Sequence, residues 1–349
     1  MIASWLLTCF YPSCIGPEFW NFLHKDWRMC ADGQLQSPVN IDPTRLLFDP
    51  SLQPLRFSQK PIEAQMRNTG QLPIISLNDT ESVMKSMNIS GGPASPYTYR
   101  LNHIAFHFGR SAENERGSEH TIDRIRFPAE IQLMAYNSDL YENFTDAMTQ
   151  PRGVLAISVI VDIGENVNAE LRRMTIASQS ITFKDMQTKI HKFQPFELIP
   201  KTEHYVTYEG SLTQPGCYET VTWIIYNLPI YISKEDIAIW DALQQVPSTS
   251  ANNPAFMSPN YRPLKPLNGR LFRTNINVKY KNRSPQGSCP SVYVDVGYRS
   301  NPKRIHMTNI SISEIDSFMK MPKQRRSITL DENKQDYSVW SLPWSKLDN

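Results

Sequence analysis

The chain has 349 residues and a formal net charge of +2, with Lys and Arg nearly balanced by Asp and Glu. That balance argues against nucleic acid or an acidic membrane surface as a partner, and no apolar run is long enough to span a bilayer. The length suits one large domain with a tail or two modest domains, and 14 Gly, 26 Pro and recurrent runs rich in Val, Ile, Thr and Tyr favour sheet over helix.

Residues 1–16 begin with an apolar stretch, Met1 to Phe10, like a short signal-peptide core without its basic flank. A secretory signal, a truncated start and an ordinary N-terminal arm are all open for it. Residues 17–50 read as a loop-rich lead-in followed by an extended segment, and 63–77 as strand, turn and strand. A strand follows at 98–108, and a second candidate begins near Phe127. The continuous apolar run from Gly153 to Ile163 suits a buried strand. Residues 166–192 are mixed, with a short helix expected near 183–191. Tyr205 to Ile232 reads as strand, loop and strand, 234–245 as an amphipathic helix, and 271–279 as one more strand. From 281 to 349 Pro, Ser, Lys and Arg dominate, the composition of a poorly ordered tail. Within it Lys323-Gln324-Arg325-Arg326-Ser327 reads more simply as a solvated basic patch than as a convertase site.

The segment Tyr99-Arg100-Leu101-Asn102-His103-Ile104-Ala105-Phe106-His107-Phe108-Gly109 carries the first chemical question. On a strand His103, Ala105 and His107 share a face, and two histidines with a third from a neighbouring strand would hold zinc. His103 and His107 are, however, four residues apart, about 13 Å at ~3.3 Å per residue, too far to converge on one ion without a bulge.

The ordered set Gln36-Ser37-Pro38-Val39-Asn40-Ile41, Tyr99-Arg100-Leu101, His107-Phe108-Gly109, Gly117-Ser118-Glu119-His120-Thr121, Glu130 with Asn137, Gly210-Ser211-Leu212-Thr213, Val221-Thr222-Trp223 and Arg262-Pro263 resembles the α-class carbonic anhydrase family over residues 17–280. The resemblance implies a mainly β, single-domain fold with a large, twisted, mostly antiparallel central sheet and little helix. It places the family's zinc ligands at 105, 107 and 132, where this chain has Ala105, His107 and Gln132, and its proton-shuttle histidine at Gln71. Alanine has no donor, an amide oxygen is a poor zinc ligand beside imidazole, and Gln71 cannot titrate. The expectation is a catalytically inactive protein without bound zinc, in which His107 is a satisfied, partly buried histidine. Glu119 and Thr213 are expected to persist as a buried hydrogen-bonded scaffold pair, with His120, Trp223 and Glu130 as further scaffold. The alternative is a weakly active zinc enzyme with a variant metal site built on His107.

The resemblance also implies a disulfide between Cys30 and Cys217, as in extracellular members, and hence an oxidising compartment. If the N-terminus is removed, Cys289 is left as the odd cysteine, suited to an intermolecular bridge. Asn78, Asn88, Asn143, Asn282 and Asn309 begin N-glycosylation sequons. Asn88-Ile89-Ser90-Gly91-Gly92-Pro93, Cys217-Tyr218-Glu219-Thr220, Pro266-Leu267-Asn268 and Arg273-Thr274-Asn275-Ile276-Asn277 resemble the branch of secreted, acatalytic carbonic anhydrase-related proteins, types ten and eleven. That branch implies a secreted glycoprotein that binds an extracellular protein at the synapse, a neurexin-like adhesion receptor, with Cys289 available for a covalent link.

Overall fold

The strand Tyr99–Phe108 lies inside one large sheet in the computed structural model, which describes residues 16–281 and 291–294 apart from 59, 78–86, 114, 251 and 253. In chain order the strands are β1 (Asn40–Ile41), β2 (Leu46–Phe48), β3 (Leu55–Phe57), β4 (Ile62–Asn68), β5 (Pro73–Leu77) and β6 (Asn88–Gly91). Then come β7 (Tyr99–Phe108), β8 (Thr121–Ile122), β9 (Ile125–Arg126), β10 (Ala129–Asn137), β11 (Val154–Ile163) and β12 (Gln187–Phe193). The last are β13 (Tyr205–Gly210), β14 (Val221–Tyr226), β15 (Ile230–Ile232), β16 (Phe272–Thr274), β17 (Val278–Lys281) and β18 (Ser291–Val294).

Thirteen of the described strands form the central sheet, whose main path is β12-β4-β5-β7-β10-β11-β14-β13-β16-β2. Pairing is mostly antiparallel, and β11 with β14, β11 with β15 and β16 with β2 are the parallel exceptions. The sheet buries both faces. One face carries Ile104, Phe106, Phe108, Ile131, Leu133, Leu155, Ile157 and Val159 in the larger core. The other carries Met134, Val154, Ala156, Ile160, Val206, Tyr208 and Trp223 in a second one. Burial of β10 and β11 on both sides explains the continuous apolar run from Gly153.

A register shift at Met134/Ala135, opposite Asn102, changes the parity of β7. Tyr99 and Leu101 face the larger core before it, and Ile104, Phe106 and Phe108 after it. An extra residue in one strand does this, because side chains alternate with a period of two. Downstream of the shift His103, Ala105 and His107 therefore face the second side of the sheet together. Opposite them on β10 stand Met134, Gln132 and Glu130.

Three local expectations are corrected. The helix of the 166–192 region is Ala169–Ser178, started by Asn168, whose Oδ1 accepts the Leu171 amide at 2.9 Å. The stretch expected to be helical near 183–191 instead leads into β12, an edge strand paired with β4. The amphipathic helix expected at 234–245 ends at Trp240, and the strand expected at 271–279 is divided between β16 and β17. Ser291–Val294, inside the span assigned to the tail, pairs with β17. Cys289 and the dibasic site lie outside the described residues, as do the sequons at Asn78, Asn282 and Asn309. No helix among the described residues is long and apolar enough to cross a membrane.

Cys30 and Cys217 form a disulfide across a sequence separation of 187. Both are buried, and the bond ties the N-terminal lead-in to the segment after β13. A Cys30→Ser, Cys217→Ser variant is expected to lose up to about 5 kcal/mol on the chain-entropy account. Guanidinium unfolding of the variant against the oxidised protein measures the loss, and an unchanged midpoint would contradict it.

Candidate functional site

The polar face shared by β7, β10 and β11 sits at the bottom of a cleft of about 80 Å3. Gln71, His107, Glu119, Thr213, Asn260 and Arg262 line it, while Ala105 and Gln132 lie beneath, 0% and 1% exposed. Each wall has a local cause. Gly109 and Gly117 approach so closely that a Cβ on Gly117 would collide with the Phe108 and Gly109 backbone. That contact folds the 109–117 loop back and delivers Glu119 and His120 to the face of β10. Beyond the stretch of β7 that pairs with β5, Asn260 takes over: its Oδ1 accepts the Phe108 amide at 2.7 Å and its Nδ2 donates to the Phe106 carbonyl at 3.1 Å.

Gln132 occupies the centre. Its amide nitrogen donates to Glu119 Oε2 at 2.7 Å and to Glu130 Oε1 at 3.0 Å. Its amide oxygen accepts from the Thr213 hydroxyl at 3.4 Å. The orientation of the amide follows from chemistry, since ionised carboxylates only accept and a flipped amide would turn its oxygen on both of them. Glu119 and Thr213 are thus not a directly bonded pair among the described residues, contrary to the sequence expectation. The Gln132 side chain stands between them.

The carboxylates have further donors. Glu119 Oε1 accepts the Arg262 backbone amide at 2.8 Å. Glu130 accepts from the His120 backbone amide at 2.8 Å and from the Ser158 hydroxyl at 2.8 Å, and its Oε1 lies 2.9 Å from His120 Nδ1. Burial alone would raise the Glu130 pKa, but the adjacent His120 and these hydrogen bonds outweigh it and hold the carboxyl at about 2. The chain continues from His120 Nε2 to the Tyr208 hydroxyl at 2.6 Å and on to Ser37 Oγ at 2.9 Å. Burial pushes the Tyr208 phenol well above its usual range, so it stays a neutral link.

His107 is only 2% exposed. Its Nδ1 is 3.0 Å from the Asn260 carbonyl oxygen, which can only accept, so Nδ1 carries the proton. Nε2 is buried and without a hydrogen-bond partner among the described residues. His107 is therefore more deeply buried and less satisfied than expected. His103 is half-buried beside Asn102 Oδ1 at 2.8 Å and edge-on to Phe144. Desolvation lowers its pKa to about 4, so it is neutral and engaged elsewhere.

Arg262 closes the site from the N-terminal side. Its guanidinium is buried and donates to the carbonyls of Ser37 at 2.7 Å and Cys30 at 3.3 Å and to Gln36 Oε1 at 3.0 Å. Desolvation lowers its pKa to about 10, against the opposing pull of Glu119.

The residues do not fit a catalytic zinc, which needs three protein donors and an open position. One imidazole nitrogen is free, Ala105 presents a methyl group, and both ends of the Gln132 amide are committed to neighbours. The arrangement holds its polar groups in place through hydrogen bonds within the chain. The sequence brought His107, Gln132, Glu119, Thr213 and Gln71 to one place. Asn260, Tyr208 and Ser158 were missed, and Asn260 had a signal in its position beside Tyr261-Arg262.

A family model described as eukaryotic-type carbonic anhydrase matches residues 15–276. Carbonic anhydrase-like protein 2 of Caenorhabditis elegans is 58% identical over 314 residues, spanning 89% of this chain and 92% of its own length. Carbonic anhydrase-like protein 1 of the same organism is 38% identical over 326 residues, spanning 76% of this chain and 88% of its own.

Replacing Gln132 by Leu would strip one donor from each of two buried carboxylates, and the expected cost is about 3 kcal/mol in urea unfolding at neutral pH; a neutral effect would contradict the bridging role. Glu130 gives a pH signature. Its folded pKa of about 2 lies below the ordinary 4.5, so its contribution is complete above pH 4.5 and is lost as pH falls towards 2. Glu130→Gln should therefore flatten the acid limb of the stability curve in that window.

Proposed function

Since the chain belongs to the eukaryotic-type carbonic anhydrase family, we propose that it is an inactive member, secreted, that works by binding another extracellular protein. The observation that carries the loss of activity is the Gln132 amide, hydrogen-bonded to Glu119, Glu130 and Thr213 in the position the family resemblance assigns to a zinc ligand. Without three donors no metal lowers the pKa of a bound water towards neutrality, and hydration of CO2 loses its nucleophile. Gln71 at the shuttle position adds to the loss, because an amide cannot relay a proton.

The compartment is supported by the Cys30–Cys217 disulfide, since such bonds persist in oxidising surroundings. The partner class comes from the resemblance: a neurexin-like receptor, with Cys289 as a thiol for covalent attachment. The second reading, a weakly active zinc enzyme, is favoured by one observation, the bare and buried Nε2 of His107.

Metal analysis and stopped-flow CO2 hydration separate the two. Purified protein is expected to hold no stoichiometric zinc and to leave the hydration rate at background; one zinc per chain with measurable turnover would establish the second reading. Ala105→His with Gln132→His is expected to bring zinc binding back, because His107 Nε2 already stands bare and the carboxylates that would orient the new imidazoles are in place. Capture of a neurexin-like ectodomain should become reducible-crosslink negative in Cys289→Ser, and no capture by either form would remove that partner.

A further inference from the structure

We propose that Asn143 carries an N-linked glycan and that Asn88, with the same type of signal, stays bare. The inference rests on the extracellular reading above, because the modification belongs to the secretory route. Asn88 and Asn143 are the two sequon asparagines among the described residues, and the fold treats them in opposite ways.

Asn143 and Thr145 are both exposed, in the short connection that begins the helix Phe144–Ala147. Between them Phe144 turns inward, packs on the second core and meets His103 edge-on at 5.1 Å between ring centroids. The half-buried Phe144 anchors the segment while the two reacting positions face solvent. Asn143 caps the helix: its Oδ1 accepts the Asp146 amide at 2.9 Å, and its Nδ2 donates to Asp146 Oδ2 at 2.6 Å.

The chemistry is compatible with this cap. Nδ2 attacks the anomeric carbon of a lipid-diphosphate-linked oligosaccharide, forming the N–C bond as the C–O bond to phosphate breaks. The lipid diphosphate leaves with the electron pair, and one Nδ2 proton passes to a base of the transferase. A second proton remains on Nδ2, so the donation to Asp146 can persist, and Oδ1 still caps the helix.

Asn88 sits in β6, with β3 on one side and β7 on the other. Its register partner on β7 is Arg100, and its carbonyl accepts the Ser58 amide at 3.1 Å. The side chain is half-buried with a buried Oδ1, and the next residue, Ile89, is fully buried. Amide oxygen and nitrogen share one carbon, so a sugar on Nδ2 would begin beside a buried atom. A strand paired on both edges cannot rotate the residue outward without leaving the sheet. A chain glycosylated there would be unable to close β6 between its neighbours.

The test expresses the full chain behind a cleavable secretory leader in cultured eukaryotic cells, so that entry into the secretory route does not depend on its own N-terminus. Protein from the medium is treated with peptide N-glycosidase in heavy-oxygen water, and site occupancy is read by peptide mass spectrometry. Asn143 is expected to be occupied in nearly every molecule and Asn88 unlabelled. Thr145→Ala, which keeps the Asn143 cap, should remove one glycan-sized step in mass, and Ser90→Ala should remove none. A bare Asn143 or an occupied Asn88 on secreted protein would overturn the assignment. The thiol state of Cys30 and Cys217 in the protein isolated from its native source tests the compartment separately: both found as free thiols sink the extracellular reading, while the leader arm still decides the site.

Discussion

The structure depends on keeping two buried carboxylates, Glu119 and Glu130, supplied with donors at the centre of the sheet. They are 1% and 0% exposed, and an ionised carboxylate that deep is costly unless it is paired or hydrogen-bonded. The Gln132 amide has two protons and gives one to each. A histidine at the same position has at most one proton to give while its other nitrogen holds a metal, so it could serve only one carboxylate by donation. The choice between amide and imidazole at position 132 is therefore coupled to the choice between no metal and a metal. With zinc, the ion supplies positive charge at the centre; without it, an amide that can donate twice is the better occupant.

The same logic extends outward. Arg262 satisfies Glu119 through its backbone and uses its guanidinium to hold Ser37, Gln36 and Cys30. The disulfide then fastens Cys30 to Cys217, four residues beyond Thr213. The two ends of this loop of contacts meet at the cleft: Thr213 bonds Gln132, and Gln132 bonds Glu119. The cleft walls are thus tied together by protein hydrogen bonds and one covalent link. Such a closed circuit holds its shape through groups that all belong to the chain.

How much of this was legible in the sequence varies with the range of the interaction. The strands that bury both faces announced themselves, Val154–Ile163 by an apolar run interrupted only by Ser158 and Asp162 and Tyr99–Phe108 by its alternation. The parity change at Asn102 was invisible, because it arises from pairing with Met134 and Ala135 and not from β7 alone. The helix in the 166–192 region was placed too late. Its signals were present, with Asn168 as a cap before Ala169, Glu170, Leu171 and two arginines. The stretch near 183–191 was read as helical although its second half enters β12, where edge pairing with β4 decides it. At the site, residue identities could be placed by resemblance, but the bond pattern could not. That Gln132 stands between Glu119 and Thr213 depends on three segments arriving from different parts of the chain.

His107 shows why one residue of a ligand set can persist when its partners do not. Its two ring nitrogens answer to different demands. Nδ1 lies against the Asn260 carbonyl at 3.0 Å, and Asn260 in turn closes the end of β7 through the backbone of Phe106 and Phe108. Loss of the imidazole would leave that carbonyl without its donor and a hole beneath the cleft. Nε2 has no such duty, and it is the atom left unpartnered. Ala105 is fully buried and presents only a methyl group, and at position 132 the amide serves two carboxylates and a hydroxyl. The histidine is held in place by packing and by one hydrogen bond, and the bare nitrogen is the cost of keeping the other.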